Sequence, residues 1–506
     1  MHQTCTGFLC LLLPIVTCSM VSETIEAPAQ LAHVHGQIEQ WLEQSPTASV
    51  SVAVSRNGKA IWQQAFGFED AGKPASVKTI YPIASVTKPF TATAVMLLVQ
   101  RGQLTLDKAV EDALDQRLFH QPTEHGRPVT VLDLLRHTSG LGMYYNNIYF
   151  GEAEATGDTF ALLDSYGTLI FEPGARFSYA NIGYALLGDI IEKVARKPFA
   201  EFVLVDVLGA SNIDEIHYRV DDSVKDRYAQ LRGAKAERLP WVHTDTPAAG
   251  DLYGTARGLM QFGEMHVGVR NGPLATQTLE SMRALPDAGI WQMDPCTPYA
   301  LGWFIDANTG AFYHEGGFDG ASSIVKVDPH SNTVIAVVSN TTFTASRVST
   351  IAEAIGNALV VEQEPTCSRT NHEQPTIESF VGRWEGSISM GSESIDLVLN
   401  VAADSSISAA FVNPQTRFIF IDDQPMPQRT KMVLTNLQPD SLSGFIPAGL
   451  VPFAGWRDRF HIVQLDLRVT DDGELRGSAN AFDSNKIREG KAGGFLTQLR
   501  RTSDTP

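Results

Sequence analysis

Hydrophobic and polar positions follow two different periods along the first hundred residues. Apolar residues recur at helical spacing over 31–42, whereas 49–68 alternates apolar and polar residues around the pair Asn57-Gly58. The first pattern predicts a helix, and the second predicts a β-hairpin because Asn-Gly favours the tight turn between two strands. Residues 90–99 are apolar on nearly every side, which predicts a helix that is buried all round.

The order of elements over the first 360 residues predicts an α+β fold. Residues 100–270 show mostly helical and loop patterns. Strand patterns return at 299–306, 311–314, 322–328 and 333–339, and a helical pattern follows at 348–361. Strands at both ends with helices between them predict one antiparallel sheet flanked by helices, with an inserted helical subdomain.

A second, smaller domain is predicted from the last 130 residues. Residues 363–377 are polar and include two prolines, which is typical of a linker. From 378 onward short alternating segments are separated by turn residues, which predicts a small barrel or sandwich. The candidate strands are 386–390, 395–401, 407–412, 417–421, 432–434, 443–446, 461–469, 475–481 and 495–500. We therefore expect a main domain over 30–362 and an all-β domain over 378–506.

Composition narrows the class of protein. The chain has 506 residues, of which 43% are hydrophobic and 19% charged, as in ordinary globular proteins. This length exceeds what one core supports, so two or three domains are expected. The formal net charge of -18 opposes nucleic-acid binding, which needs a basic surface, and we expect no nucleic-acid partner.

The first residues resemble an export signal. Residues 8–16 form an apolar run that is too short to span a bilayer, followed by small and polar residues. We predict a signal peptide over 1–22, a periplasmic or secreted protein, and no transmembrane span once the leader is removed. Lipid attachment at Cys18 is an alternative, although residues 15–17 fit a lipobox poorly. The remaining Cys296 and Cys367 could form one disulfide or stay as two thiols.

The candidate nucleophile is Ser85, in the sequence Ser-Val-Thr-Lys that ends at Lys88. Residues i and i+3 share one helix face, so the hydroxyl and the amine can meet. Pro89 is tolerated only near a helix start, which places Ser85 where free N–H groups stabilise a developing anion. Burial against the apolar helix would lower the pKa of the Lys88 amine and make it available as a base.

The same motif recurs by chance at Ser323 and Lys326. That copy lies on an alternating segment, which predicts a strand. Residues i and i+3 of a strand point to opposite faces, so this serine and lysine cannot pair. We therefore reject the second copy.

A second element, Tyr-x-Asn, would supply a base and an amide that holds the lysine and the substrate. The candidates are Tyr144/Asn146, Tyr145/Asn147 and Tyr179/Asn181. We choose Tyr179 and Asn181 because a predicted turn at 171–177 precedes them and an apolar helix pattern at 182–194 follows. The pairs at 144–147 are expected to line the cleft or to form a polar loop.

The third element is His314 with Gly316 and Gly317, on a strand expected to edge the cleft. A cation or hydrogen-bond donor at His314 could bind a substrate carboxylate or assist proton movement. The glycines allow close backbone approach, and an N–H there could complete an oxyanion hole with that of the nucleophile. Similar short motifs at His266 and Lys491 are rejected because the first has a helical pattern and the second lies beyond the linker.

These segments resemble the serine β-lactamase-related family, which includes class C β-lactamases, DD-peptidases, D-aminopeptidases and esterases. The resemblance covers roughly residues 31–360 and rests on the motifs at 83–90, 102–107, 134–141, 173–181, 299–303 and 314–320. It implies a β-lactamase/transpeptidase-like fold with Ser85, Lys88 and Tyr179 as catalytic residues. It also implies that His137 and Ser139 shape a loop rather than form a triad with the serine.

Two departures and one further resemblance accompany this match. Asp251 stands where a glycine is common, and Glu315 stands where threonine or serine is common. We expect the Glu315 carboxylate to weaken binding of a substrate carboxylate, which disfavours a true β-lactamase. Residues 380–386 and the strand spacing of the tail resemble the lipocalin-like barrels of some D-aminopeptidase relatives.

The predicted function is acyl transfer through a covalent intermediate on the serine. The predicted partner is a small molecule or peptide, including one derived from a cell wall: a D-amino-acid peptide, a β-lactam or a carboxylic ester. No group of His, Cys and Asp has metal-ligand spacing, so no metal and no other cofactor is predicted. The alternative is a catalytically idle protein that binds peptidoglycan or acts as a scaffold. The sequence leaves the oligomeric state open.

Overall fold

The computed structural model provides side-chain detail for most of the chain. It describes residues 24–505 apart from 121–125, 150–157, 221, 287–289, 291–293, 295, 343–346, 360–366, 368–376, 391–392, 413–419, 422–423, 426–429, 439–440, 447–461, 471, 483–490 and 504. The signal peptide predicted over 1–22 lies outside the described residues, as does most of the linker predicted over 363–377.

The α-helices of the described residues belong to the first 360 positions. They are α1 Ala32–Gln44, α2 Thr87–Gln100, α3 Val110–Leu114, α4 Val131–Leu135, α5 Thr159–Tyr166, α6 Asn181–Ala195, α7 Phe199–Glu201, α8 Pro247–Gly250, α9 Ala256–Val267, α10 Thr276–Met282 and α11 Val348–Leu359. A π-helical segment, Phe202–Leu208, continues α7. The buried helix predicted at 90–99 is α2, and its two-sided burial explains why its sequence shows no polar face.

The strands fall into two groups, one in the main domain and one in the tail. Those of the main domain are β1 Ser49–Arg56, β2 Lys59–Asp70, β3 Lys73–Pro74, β4 Tyr81–Pro82, β5 Tyr144–Tyr149, β6 Ile216–Tyr218, β7 Leu231–Arg232, β8 Arg238–Leu239, β9 Val242–Thr244, β10 Leu252–Gly254, β11 Phe304–Ile305, β12 Phe312–Phe318, β13 Ala321–Asp328 and β14 Thr333–Ser339. Those of the tail are β15 Gly382–Met390, β16 Glu393–Val401, β17 Ile407–Val412, β18 Phe420–Ile421, β19 Gln424–Pro425, β20 Thr430–Gln438, β21 Ser441–Ile446, β22 Ile462–Val469, β23 Leu475–Phe482 and β24 Lys491–Ser503.

Both ends of the main domain share one antiparallel sheet, as the element order predicts. Seven of the described strands form it in the order β11-β12-β13-β14-β1-β2-β3. Val50, Val52 and Val54 of β1 pack with α1 and α11 on one face. Ala53 joins the core formed with α2 and α9 on the other face, so the sheet is buried between two helical layers.

The structure corrects two predictions about the main domain. The region 100–270 is not purely helix and loop, since β5 to β10 lie within it. The strand predicted over 299–306 is only Phe304–Ile305, because the chain turns tightly just before it: Ala300 N donates to Trp303 O at 2.8 Å, and Gly302 has φ +85°. Glycine tolerates this left-handed conformation, so the apolar run folds back instead of extending.

The tail forms a closed antiparallel barrel, the first of the two predicted alternatives. Its eight strands among the described residues run β15-β16-β17-β20-β21-β22-β23-β24, and β24 pairs again with β15. Inward residues such as Trp384, Leu397, Leu465 and Leu499 are fully or almost fully buried. Apolar side chains therefore fill the barrel axis, in keeping with the alternation seen in the sequence.

The barrel is joined to the main domain through its last strand. The first residues of β24 pair with β5, with Ala492 opposite Tyr145, and the other edge of β5 pairs with β9. Nearby, Arg176 NH2 lies 3.7 Å from the Asp466 carboxylate of β22. One hydrogen-bonded ribbon thus runs from the barrel into the main domain.

Cys296 and Cys367 form a disulfide, which answers the alternative that the sequence leaves open. Their Cα atoms are 5.7 Å apart, and Cys367 N donates to Asn308 Oδ1 at 2.6 Å. The disulfide attaches Cys367, which lies in the segment between the two domains, to Cys296 of the main domain. None of the helices among the described residues combines the length and the apolar character that a membrane span requires.

Candidate active site

Ser85 lies in a short 3₁₀ turn, Ala84–Val86, that leads directly into α2. Ala84 has φ +47°, a left-handed conformation that costs a residue with a side chain about 1 kcal/mol. The turn is held from below, because Ile83 O accepts hydrogen bonds from Ser323 Oγ at 2.7 Å and from Val86 N at 3.1 Å. The rejected second motif therefore supports the segment that bears the first, and Ser323 lies on β13 as predicted.

Lys88 is completely buried on the first turn of α2. Its Nζ donates to Ser85 Oγ at 3.1 Å and to Ala249 O at 3.0 Å. Desolvation lowers the pKa of this amine well below its usual value, because a buried ammonium loses its hydration. Burial therefore favours the neutral amine, the form that can accept a proton from the serine hydroxyl.

Tyr179 approaches the same hydroxyl from a loop between α5 and α6. Its phenol is hydrogen-bonded to Ser85, and Lys88 Nζ lies 4.7 Å from its ring centroid. Burial raises the pKa of the phenol despite the hydrogen bond with Ser85, so Tyr179 stays protonated at neutral pH. The serine, the lysine and the tyrosine thus meet around one oxygen atom.

His137 supports the tyrosine loop. Its Nδ1 accepts from Ala180 N at 3.1 Å, its carbonyl accepts from Ser178 N at 2.7 Å, and its ring lies 4.3 Å from that of Tyr179. Since Nδ1 is an acceptor, the proton of the neutral ring is on Nε2. These contacts place His137 behind the tyrosine, which agrees with the loop-shaping role implied by the resemblance.

The two competing Tyr-x-Asn pairs lie on β5 and face opposite sides. Tyr145 and Asn147 line the cleft. Tyr144 and Asn146 turn inward, where both donate to Asp245 Oδ2, at 2.5 and 2.8 Å. The period of two along a strand separates the pairs in this way.

Asn181 begins α6 and lines the same cleft. Its Nδ2 donates to Tyr144 O at 2.6 Å, which links the tyrosine loop to β5. The Tyr-x-Asn motif predicts that this amide holds the lysine. The described hydrogen bonds of Lys88 go instead to Ser85 and Ala249.

His314 is almost completely buried on β12, at the edge of the cleft. Its Nδ1 lies 2.7 Å from Glu315 O, to which it donates, so Nε2 accepts from Tyr299 Oη at 3.1 Å. Burial is the main cause that lowers the pKa of His314 to about 3. The ring is therefore neutral. Of the two predicted roles of His314, cation and hydrogen-bond donor, that of a cation does not fit this environment.

Gly316 brings the strand into contact with the nucleophile turn. A Cβ atom at this position would lie 2.2 Å from Ile83 O and 3.0 Å from Ser85 N. Only glycine allows this approach. The next residue, Gly317, lines the cleft together with Ser85, and its role as a second oxyanion donor stays a prediction.

The side chain of Glu315 contacts α11, and the expectation that it weakens binding of a substrate carboxylate stays a prediction. The carboxylate accepts a hydrogen bond from Ser349 Oγ in the first turn of α11, on the far face of the sheet from the cleft. Alternation along β12 causes this, since His314 and Gly316 share one face and Glu315 takes the other. The carboxylate of Glu315 thus contacts α11, while the residue also borders the cleft.

The cleft has a volume of about 550 Å³. The described residues that line it are Ser85, Met143, Tyr145, Asn147, Tyr179, Asn181, Thr244, Thr246, Ala249, Gly250, Phe304, His314, Glu315, Gly316, Gly317, Phe318, Phe445 and Gln464. Phe445 and Gln464 belong to the barrel, on β21 and β22. Sequence reasoning missed both, because nothing in their neighbourhood signals a contact with residues 300 positions earlier.

No group of three or more potential metal-ligating side chains occurs among the residues that the structure describes. Asp251, the acid that stands where a glycine is common, is fully buried and serves the fold. Its carboxylate accepts from Thr244 N at 2.8 Å and from Arg219 Nε at 3.0 Å.

Fold and site together define a β-lactamase-type protein. The family model described as Beta-lactamase matches residues 37–359, more than half of the chain, and the chain belongs to that family. Members with this fold include penicillin-binding proteins, class C β-lactamases and esterases, which are serine hydrolases.

Among curated proteins, the chain is similar to Protein flp of Staphylococcus aureus (strain MW2), with 27% identity over 323 residues that make up 60% of this chain. The match spans 61% of that protein's length. Among solved structures, it is similar to the octameric penicillin-binding protein homologue from Pyrococcus abyssi, with 20% identity, a TM-score of 0.57, and coverage of 92% of this chain and 100% of the other. The structure of SurE with D-Leu gives 19% identity, a TM-score of 0.60, and coverage of 92% and 99%. Both likenesses concern the fold and extend across the barrel.

Proposed function

We propose that the chain is a serine hydrolase that acts through an acyl-enzyme on Ser85. Ser85 Oγ attacks the carbonyl carbon of a small amide or ester while its proton passes to the Lys88 amine. The oxyanion binds the N–H groups of Ser85 and Gly317, the leaving group departs with a proton, and water then hydrolyses the ester. The observation that carries this proposal is the 3.1 Å contact between Ser85 Oγ and the fully buried Lys88 Nζ.

The two flanking groups take different roles. The lowered pKa of Lys88 favours a base that accepts the serine proton, whereas the raised pKa of Tyr179 disfavours a phenolate. Tyr179 would therefore pass its proton to the leaving group and recover one from Lys88. Asn181, with Asn147 across the cleft, would hold the amide or ester of the substrate.

Three substrate classes remain candidates: a D-amino-acid peptide, including one derived from a cell wall, a β-lactam and a carboxylic ester. The structure of SurE was determined with D-Leu, which makes a D-aminoacyl group one candidate here as well. The disulfide between Cys296 and Cys367 supports the proposed export, since such bonds persist in oxidising compartments.

Activity-based labelling tests the proposal. Purified protein is treated with a neutral fluorophosphonate, and the site of modification is identified by mass spectrometry. We expect one adduct on Ser85, none in Ser85→Ala, and a loss of labelling rate of at least about 100-fold in Lys88→Ala, since a positioned base contributes about that factor. Lys326→Ala, from the second motif, is the matched control and should label normally.

The alternative function, a catalytically idle binding or scaffold protein, predicts the opposite result. A folded protein that gives no adduct, and that turns over none of a panel of D-peptides, esters and β-lactams, would support it. Circular dichroism of the same samples establishes that the fold is intact.

A further inference from the structure

We propose that the cleft selects uncharged substrates: an ester, or a peptide whose C-terminus is blocked, with an apolar substituent and no carboxylate beside the scissile bond. This inference rests on the proposed function and decides among the three classes left open above. It places a β-lactam and a free D-peptide, which both carry such a carboxylate, among the poor substrates.

The polar groups that face the cleft are neutral hydrogen-bonding groups. Among the described lining residues they are the amides of Asn147, Asn181 and Gln464 and the hydroxyl of Thr246, besides the serine and the tyrosines. The Thr244 hydroxyl is turned to the buried Asp251 carboxylate, to which it donates at 3.0 Å. Such groups bind a carbonyl or an N–H well. They do not offset the cost of removing a carboxylate from water, which needs a charged partner.

The two charged candidates near the serine are already engaged. Lys88 is fully buried and donates to Ser85 Oγ and Ala249 O, so its amine is already occupied by protein groups. His314 has Nδ1 directed at Glu315 O and Nε2 bound by Tyr299 Oη. The strand position that could have held a cation thus presents an uncharged ring whose two nitrogens both have protein partners.

The remaining walls favour apolar groups. Met143, Phe304 and Phe318 line the main-domain side, and Phe445 of the barrel faces the cleft from the other domain. In a cleft of about 550 Å³ these side chains surround a substituent of the size of a phenyl or leucyl group. The net charge of -18 adds a long-range repulsion of anions.

Matched pairs of substrates test the inference. One pair is phenyl butyrate and 3-carboxyphenyl butyrate. The other is N-acetyl-D-alanyl-D-alanine amide and the same dipeptide with a free carboxylate. We expect kcat/KM to be about 10- to 100-fold higher for the neutral member of whichever pair is turned over, which corresponds to the usual cost of burying an unpaired polar group. The ratio should persist at 0.5 M NaCl, a condition that screens the long-range charge and leaves the cleft chemistry in place.

A cation introduced into the cleft should reduce this preference. Gln464 is half-buried on the barrel wall, so Gln464→Lys can add an ammonium without disturbing the main-domain core. We expect it to lower the neutral-to-anionic ratio by about tenfold through charge pairing. Gln116→Lys adds the same charge at an exposed position outside the cleft and should leave the ratio unchanged.

The outcomes separate the two proposals. Equal or faster turnover of the carboxylate members, with Ser85 still labelled by the fluorophosphonate, would overturn selection for neutral substrates and leave the serine hydrolase standing. An absence of labelling together with an absence of turnover for every member would overturn both.

Discussion

At the scale of single residues, the site depends on how burial shifts the pKa values of the two groups beside Ser85. Ser85, Lys88 and Tyr179 lie within contact of one another, yet desolvation lowers the pKa of the amine and raises that of the phenol. Burial thereby favours the neutral form of both side chains, because the dry environment penalises either charge. The serine consequently has a base beside it without a nearby fixed charge.

This division predicts the pH dependence of acylation. Acylation should rise with pH as Lys88 loses its proton, with a midpoint well below 10.5, the usual value of a lysine. Lys88→Arg should be inactive at every pH tested, since guanidinium stays protonated. The rate of fluorophosphonate labelling, measured between pH 5 and 10, follows this rise. A rate that does not change with pH would contradict Lys88 as the base.

The same shift bears on stability, with a defined sign. Between its lowered folded pKa and 10.5, Lys88 binds more protons in the unfolded chain than in the folded one. The free energy of unfolding contributed by this residue therefore rises with pH across that window, and it is lost as the pH falls towards the folded pKa.

His137 gives a second prediction at this scale. Removing its Nδ1 acceptor in His137→Phe leaves Ala180 N–H without its partner and frees the Tyr179 loop. We expect kcat to fall about 10- to 100-fold with KM little changed, since an unmet buried donor costs about 1–3 kcal/mol. His137→Asn keeps an acceptor oxygen near the same place and should restore most of kcat. A Phe variant with the parent kcat would show that the histidine merely fills space.

The residues that meet around Ser85 were predictable from the sequence, but not all of their protonation states were. The i,i+3 spacing of Ser85 and Lys88 implied contact because helix geometry is local. The neutrality of His314 could not be predicted, since it depends on burial that arises only when distant segments pack around the ring. The direction of Glu315 was available from strand alternation and was overlooked.

At the scale of elements, the approach of β12 to the nucleophile turn is the critical packing contact. It exists because Gly316 has no side chain where Ile83 O and Ser85 N pass. The contact aligns two potential oxyanion donors from segments more than 200 residues apart in the chain. Small changes in strand position would therefore act directly on acylation.

Gly316→Ala tests this packing. Its Cβ would lie 2.2 Å from Ile83 O, so backbone must shift. We expect a loss of about 1–3 kcal/mol in unfolding free energy and a loss of acylation of at least about tenfold. Gly36→Ala is the matched control, because its Cβ meets nothing within 4 Å inside α1 and should stabilise the helix by about 0.5–1 kcal/mol. Urea titration and the labelling rate measure the two effects, and equal behaviour of the variants would refute the packing argument.

The elements themselves were predictable to different degrees. The hairpin at Asn57-Gly58 and the barrel strands β17 and β22 have nearly their predicted bounds, because alternation over six or more residues is a strong local signal. β5 was missed since its strand partners, β9 and β24, lie 100 and 350 residues further along the chain. Pairing at such separations leaves little trace in local sequence.

At the scale of the whole molecule, two domains build one cleft. The barrel supplies Phe445 and Gln464 to a wall otherwise made by the main domain, and the ribbon through β24, β5 and β9 ends beside Thr244. The barrel axis is filled with apolar side chains, so its outer surface borders the cleft. The barrel thus acts as part of the active-site wall.

The disulfide gives the prediction at this scale. It closes a loop of 71 residues between Cys296 and Cys367, for which chain entropy implies about 4 kcal/mol of stabilisation. We expect the double variant Cys296→Ser/Cys367→Ser to lose that much in urea unfolding while acylation of Ser85 changes little, because neither sulfur borders the cleft. Reductant should shift the parent protein towards the variant and leave the variant unaffected. A variant as stable as the parent would contradict the assignment.

Strand β24 takes part in two separate pairings, which fixes the number of residues between them. The beginning of β24 pairs with β5 and the remainder closes the barrel against β15. Adding or deleting a single residue at 494–495 would invert the inward-outward order of one portion relative to the other. Either the barrel interior would then receive polar side chains, or Tyr145 would lose its partner strand. The spacing between these two pairings must therefore be inherited without insertions or deletions, and a barrel grafted from a relative would fit only if it kept the same count of residues there.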